Sequence, residues 1–238
     1  MSKITAMTAI NQSLQNTALS SARVWNPFHT LAEGPTNVFS ANPGWSPMVP
    51  EVIPDAKTFA NAGRGEKITY SGLAKQAGLL DKDLEWTDLT SPVFERLRGK
   101  LKIDYLKRGA ESIKNFPSGV CTMFACAVLG HLAVNNNLLD NGSVVELFKY
   151  EGDQGGHAFI VVNRMGAAND VDSWGAECYT IDPWYARHRI NAPGSNPVKD
   201  MTAGTNFSDP LFNTFLKDAN SRTAMVTFTH LELIQALT

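Results

Sequence analysis

A chain of 238 residues, 43% hydrophobic and 18% charged, holds enough apolar material for a substantial core, and its length suits one large domain or one domain with an extension. Its formal net charge of -2 gives no electrostatic reason to expect a nucleic-acid or anionic-membrane partner. Three cysteines, Cys121, Cys126 and Cys178, are an odd number with no zinc-ligand spacing, so the expectation is a reducing compartment, no disulfide framework, no metal and no cofactor.

The segment from Ser2 to Ser21 is rich in Ser, Thr, Asn, Gln and Ala, with Lys3 as its only charge. Such a composition is expected to fold poorly and stay soluble. It has no basic region followed by an apolar block, so a Sec signal is not expected. It resembles the amino-terminal signals of bacterial type III effectors. That resemblance implies secretion by a bacterium, a secretion chaperone bound to this region and work in a host cytoplasm. A floppy terminus without an address function reads the same composition equally well. Residues 26 to 54 then carry Pro27, Pro35, Pro43, Pro47, Pro50 and Pro54, whose fixed angles and missing donors predict an irregular stretch. Trp25, Phe28, Phe39 and Trp45 could pin that stretch to a folded body. The expected organisation is therefore a flexible region over 1–60 and a catalytic domain over 61–238.

A helix is expected at 71–80 and a stronger one from Ser91 through Glu111. There Ser91-Pro92 reads as a cap followed by proline at the first helical position, and Phe94, Leu97, Leu101, Tyr105 and Leu106 recur at helical spacing. Phe116-Pro117-Ser118-Gly119 reads as a turn leading into an apolar run from Cys121 that predicts a central buried helix. Val120 to Val134 falls short of the roughly 20 apolar residues a membrane span needs. Beyond it, Val144 to Tyr150, Ala158 to Asn163, Tyr179 to Ile181 and Ala224 to Thr229 read as strands bounded by Asn141-Gly142, Gly155-Gly156 and Asp182-Pro183. Strands following a buried helix predict an α+β fold, an antiparallel sheet packed on that helix.

Cys121 falls in the first turn of the predicted helix, where unpaired N–H groups and the positive dipole end favour a thiolate. Cys126, five positions on, points elsewhere and reads as a small core residue, and Cys178 has no turn or helix end to activate it. His157 opens an apolar strand after Gly155-Gly156, a place from which an imidazole can face a cleft. Asp182 ends another strand. If 158–163 and 179–181 pair as antiparallel neighbours, the start of the first lies beside the end of the second, and Asp182 comes next to His157. Either polar residue could instead serve structure, His157 as a strand cap and Asp182 in an Asp-Pro turn. Asn115, six positions before Cys121, and Gln154 are candidates to stabilise an oxyanion beside the Cys121 N–H.

In this order, Gly119-Val120-Cys121 opening a buried helix, Gly156-His157-Ala158-Phe159 opening a strand and Ile181-Asp182-Pro183 ending one resemble the papain-like and transglutaminase-like cysteine enzymes. The likeness covers roughly residues 110 to 190. His157 follows Cys121 by 36 positions, from 121 to 157, an interval similar to transglutaminase-like cores and to bacterial toxin deamidases of the Pasteurella mitogenic toxin type. Asn115 matches the place of papain's oxyanion glutamine, as an asparagine. The resemblance implies a papain-like or transglutaminase-like core and a Cys121, His157, Asp182 triad that attacks a carboxamide of a host protein. Glutamine deamidation is the favoured outcome. Proteolysis and transglutamination use the same three residues. The rival of another class is a non-catalytic binding module that keeps the shape.

Gly63-Arg64-Gly65-Glu66-Lys67 lacks the spacing of a phosphate loop, and no His-Glu-x-x-His helix is present. His131 reads as a core histidine and His188, between Arg187 and Arg189, as a solvated one held in reserve should His157 fail.

Overall fold

The computed structural model of the chain describes residues 1–24, 91–115, 118–152, 155–187, 196–202 and 205–238. The proline-rich stretch and the helix expected at 71–80 lie outside the described residues. The chain divides into two compact units, Met1–Ser46 with Lys107–Thr238, and Pro47–Leu106. The candidate catalytic residues all belong to the first unit.

The first surprise lies at the N-terminus, where helix α1 spans Lys3–Gln15 with Ser2 as its cap, its side chain accepting from the Thr5 N–H. Ala6, Met7, Ile10 and Leu14 are buried, a narrow stripe at helical spacing that a reading dominated by polar composition overlooks. Lys3, the segment's one charge, pairs with Asp200 at 2.8 Å and donates to the Ala176 carbonyl at 2.6 Å. Residues 2–21, expected to fold poorly, are thus a docked part of the first unit. A short 3-10 turn (Ala18–Ser20) and strand β1 (Arg23–Val24) continue it.

Helix α2 covers Ser91–Asn115, four residues beyond the expected end, and is followed by the two-residue strand β2 (Ser118–Gly119), which pairs in parallel with β1. Gly119 lets its neighbours approach closely: a Cβ there would lie 2.6 Å from Ile113 Cδ1 and 3.1 Å from Met123 Cβ, so those side chains would have to shift. Helix α3, Cys121–Val134, begins two residues later with Val120 as an N-cap that contributes no side-chain bond. It carries no Asp, Glu, Lys or Arg, and its residues from Thr122 to Leu129 are all buried. It is apolar all round and serves as a core helix.

Five strands form one antiparallel sheet in the order β6-β5-β4-β3-β7: β3 Val144–Gly152, β4 Gly155–Val162, β5 Tyr179–Ile181, β6 Val198–Asp200 and β7 Ser221–Thr229. The fold of the described residues is therefore mixed α+β. One face of β4 carries His157, Phe159 and Val161. Phe159 and Val161 pack with Phe148, Trp174, Tyr185, Phe212 and Leu216. The alternate residues Ala158, Ile160 and Val162 are buried on the opposite face, with α3 packed against the strand. Helix α4 (Pro183–Arg187) follows β5, α5 (Pro210–Lys217) precedes β7, and α6 (His230–Leu237) closes the described chain with a reciprocal Thr229/Glu232 capping box.

Docking of α1 predicts that Ile10→Ala destabilises the fold by about 2–4 kcal/mol in urea denaturation. Ile4→Ala, at a residue 53% exposed on the same helix, should stay within about 0.5 kcal/mol of the parent. Equal, negligible effects would mean that α1 contributes no packing.

Candidate active site

Three elements converge on one imidazole. Strand β4 presents His157 at its third residue, β5 delivers Asp182 immediately past its end, and α3 contributes Cys121 as its first residue. The register makes the first two meet. Ile160 stands opposite Ile181, so Asp182 lies across from Phe159 and diagonally from His157 on the same sheet face, a diagonal that polar side chains can close. His157 Nε2 and Asp182 Oδ2 are 2.5 Å apart, with the histidine 6% and the aspartate 1% exposed. The other carboxylate oxygen, Oδ1, accepts from the Tyr185 N–H at 2.9 Å, and the Asp182 N–H donates to the Pro197 carbonyl at 2.7 Å. The carboxylate is fixed from both sides.

With Nε2 committed to Asp182, Nδ1 remains for Cys121, whose side chain is hydrogen-bonded to His157. The sulfur also accepts from the Ala158 N–H. That donor is available because β5 pairs with β4 over Ile160 to Val162 alone, leaving the opening residues of β4 without that neighbour among the described strands. Burial pushes the Cys121 thiol up. The His157 bond, the imidazolium charge and the Ala158 N–H outweigh it, and the net shift is downward from the ordinary thiol value. His157 responds in the opposite sense: burial disfavours its charge, but the Asp182 carboxylate, the bond to it and the Cys121 partner raise its pKa to about 10. The arrangement favours a thiolate beside an imidazolium on a buried carboxylate. Cys121 as a residue is half-buried, unlike Cys126 and Cys178, which are buried.

Aromatic rings enclose the imidazole. Phe159 stacks on it at 5.7 Å between ring centres, Tyr150 meets it edge-on at 5.5 Å and Trp184 lies at 5.0 Å. These rings exclude water and strengthen the charge interactions inside. Burial, then the charges of Asp182 and Cys121, raise the Tyr150 pKa, so that phenol stays neutral. Sequence reasoning missed this shell. The signal for Tyr150 was present in the hairpin, because pairing Gly152 with Gly155 sets Tyr150 opposite His157, and Trp184 follows Asp182 by two residues in Asp-Pro-Trp.

The remaining candidates separate clearly. Asn115 is the last residue of α2, but its side chain lies outside the described residues, as do Gln154 and His188. Cys126 is fully buried on α3, and Cys178 is buried with its thiol pushed up to about 12 by desolvation, so neither shares the activation of Cys121. His131 is half-buried rather than a core residue: it bonds Ser13 Oγ through Nε2 at 2.6 Å, tying α3 to α1. Among the described residues, no group of three or more His, Cys, Asp or Glu side chains is placed to hold a metal ion, and no helix is long and apolar enough to cross a membrane.

An NMR titration of the ring should show the His157 imidazolium persisting to about pH 10. In Asp182→Asn the two largest supports of that charge are gone while burial remains, so the titration should fall by several units. An unchanged titration would show that the carboxylate does not govern the ring.

Comparison of the chain with protein-family models, with curated proteins and with solved structures finds no match.

Proposed function

We propose that this chain is a cysteine-dependent amide hydrolase whose nucleophile is Cys121, with His157 as acid and base and Asp182 as the group that orients and charges the imidazole. The observation that carries the reading is the continuous hydrogen-bonded series Cys121, His157, Asp182, in which the thiol is driven towards its anion and the ring towards its cation. Structural cysteines in cores are ordinarily inert and raised in pKa, as Cys178 is.

The chemistry follows from these atoms. The Cys121 thiolate attacks a carboxamide carbon, forming a C–S bond and moving the carbonyl electrons onto oxygen. The Cys121 N–H, at the first residue of α3, has no intrahelical acceptor and with the positive end of the helix favours such a developing anion. Collapse of the adduct breaks the C–N bond as His157 gives its proton to the departing ammonia or amine. The neutral ring then takes a proton from water, whose oxygen attacks the thioester, and the thiolate leaves as the carboxylic acid forms. The Asp182 carboxylate stabilises each imidazolium.

The favoured carboxamide is a glutamine side chain of a protein substrate. The short interval from Cys121 to His157, similar to transglutaminase-like and toxin deamidase cores, supports that choice over main-chain cleavage. A papain-like or transglutaminase-like core is part of the same proposal, and the buried α3 packed on an antiparallel sheet is consistent with it.

Incubation with glutamine-bearing proteins, followed by intact mass analysis, should give the small gain of an amide replaced by an acid without fragments. Cys121→Ala and His157→Ala should abolish it, and Asp182→Ala should lower turnover by about 10²–10⁴-fold. Turnover surviving in Cys121→Ala would refute the assignment. A thiol-directed probe separates enzyme from binding module: rapid stoichiometric labelling at Cys121 lost in His157→Ala supports catalysis, and equal sluggish labelling of all three cysteines opposes it.

A further inference from the structure

Lys199, the middle residue of β6, is a lysine 1% exposed in the core of the first unit. Strand alternation sends its neighbour Asp200 to the other side, where Lys3 neutralises it. The Lys199 ammonium donates to the Asn196 carbonyl at 2.9 Å and sits over the rings of Tyr185, at 5.0 Å, and Phe212, at 5.3 Å. Ring faces and one carbonyl are weak compensation for a buried cation. Burial lowers the Lys199 pKa, and two carboxylates act against that through space, Asp182 and Asp209. Asp209 is half-exposed and occupied in capping α5 through the Phe212 N–H at 3.0 Å, so solvent screens it. Asp182 is enclosed, and its field reaches Lys199 with little screening.

The two residues are also linked mechanically. The Asp182 N–H is held by Pro197, two residues before Lys199, and Asp182 Oδ1 by the N–H of Tyr185, whose ring lies under the ammonium. Among the described residues, the titratable groups acting on or with Asp182 are His157, Cys121, Tyr150 and Tyr185, none of which is a fixed cation. Without Lys199 the buried cluster of thiolate, imidazolium and carboxylate would carry a net negative charge.

We propose that Lys199 is a positioning residue of the active site: a buried counter-charge to Asp182 that completes a series of four charges of alternating sign running from Cys121 through His157 and Asp182 to β6. This rests on the nucleophile assignment and adds its electrostatic support. Removing a cation raises the proton affinity of every group in the cluster, so the pH at which Cys121 becomes a thiolate must rise.

The test is the rate of Cys121 alkylation by iodoacetamide against pH in the full chain, with thermal melting recorded for each variant. Lys199→Met should move the acid limb upward by about one pH unit. Lys199→Gln, which keeps a donor for the Asn196 carbonyl but drops the charge, should move it likewise, and Lys199→Arg should bring it back towards the parent. A parent-like limb in Lys199→Gln would overturn the proposal and reduce Lys199 to a packing and hydrogen-bonding role. Should Lys199→Met fail to fold, Lys199→Gln alone decides. A parent chain alkylated only in the ordinary thiol range would sink the nucleophile assignment and this proposal with it, whereas a low limb in the parent unchanged by either substitution sinks this proposal alone.

Discussion

The 2.5 Å contact between His157 Nε2 and Asp182 is the interaction on which the rest of the site depends. It fixes the ring, assigns its two nitrogens to different partners and supplies the charge that makes the imidazolium stable in an enclosed position. Once the ring is cationic, the Cys121 thiol is held below its ordinary pKa despite its desolvation. Every element around the contact defends it. The β4–β5 register brings the two residues into diagonal reach, Tyr185 and Pro197 hold Asp182 from opposite sides, and Phe159, Tyr150 and Trp184 keep water from competing for the ring.

The third member arrives by a different route, from a helix start instead of a strand. Gly119 permits the close approach of Ile113 and Met123 that turns the chain into α3, and β1 pairs with β2 just before that turn. Arg187, at the end of α4, donates to the Ala22 carbonyl at 2.9 Å and also to that of Ser20. The segment 20–24 therefore bonds both to the strand that precedes Cys121 and to the helix that follows Asp182. The N-terminal arm is part of the framework that holds the two ends of the triad in place.

Much of this was legible because period-two and period-3.6 patterns are local signals. The four strands expected at 144–150, 158–163, 179–181 and 224–229 and the buried helix from Cys121 all occur, with boundaries shifted by one to three residues at some ends. The meeting of Asp182 and His157 also followed from a single assumption, antiparallel pairing across the loop between them. What escaped was information carried by tertiary context. Helix α1 has a stripe of only a few apolar residues in a polar background, and its burial is decided by what it packs against. Lys199 in sequence is an ordinary charged residue of a Pro- and Asn-rich neighbourhood, and nothing local marks it as enclosed by Tyr185 and Phe212. Tyr150 required the hairpin register, and oxyanion side chains require geometry that spacing from Cys121 alone does not supply.

The central claim is that Cys121 rests as a thiolate because His157 is charged beside it. Ultraviolet absorbance of the thiolate, taken as the difference between the parent chain and Cys121→Ser across pH, tests this most directly. The account predicts a thiolate signal already present at neutral pH and displaced to alkaline pH in His157→Ala, where burial remains and the cation is gone. A signal that emerges only in the ordinary thiol range, at about pH 8.5, in both the parent and His157→Ala would contradict it.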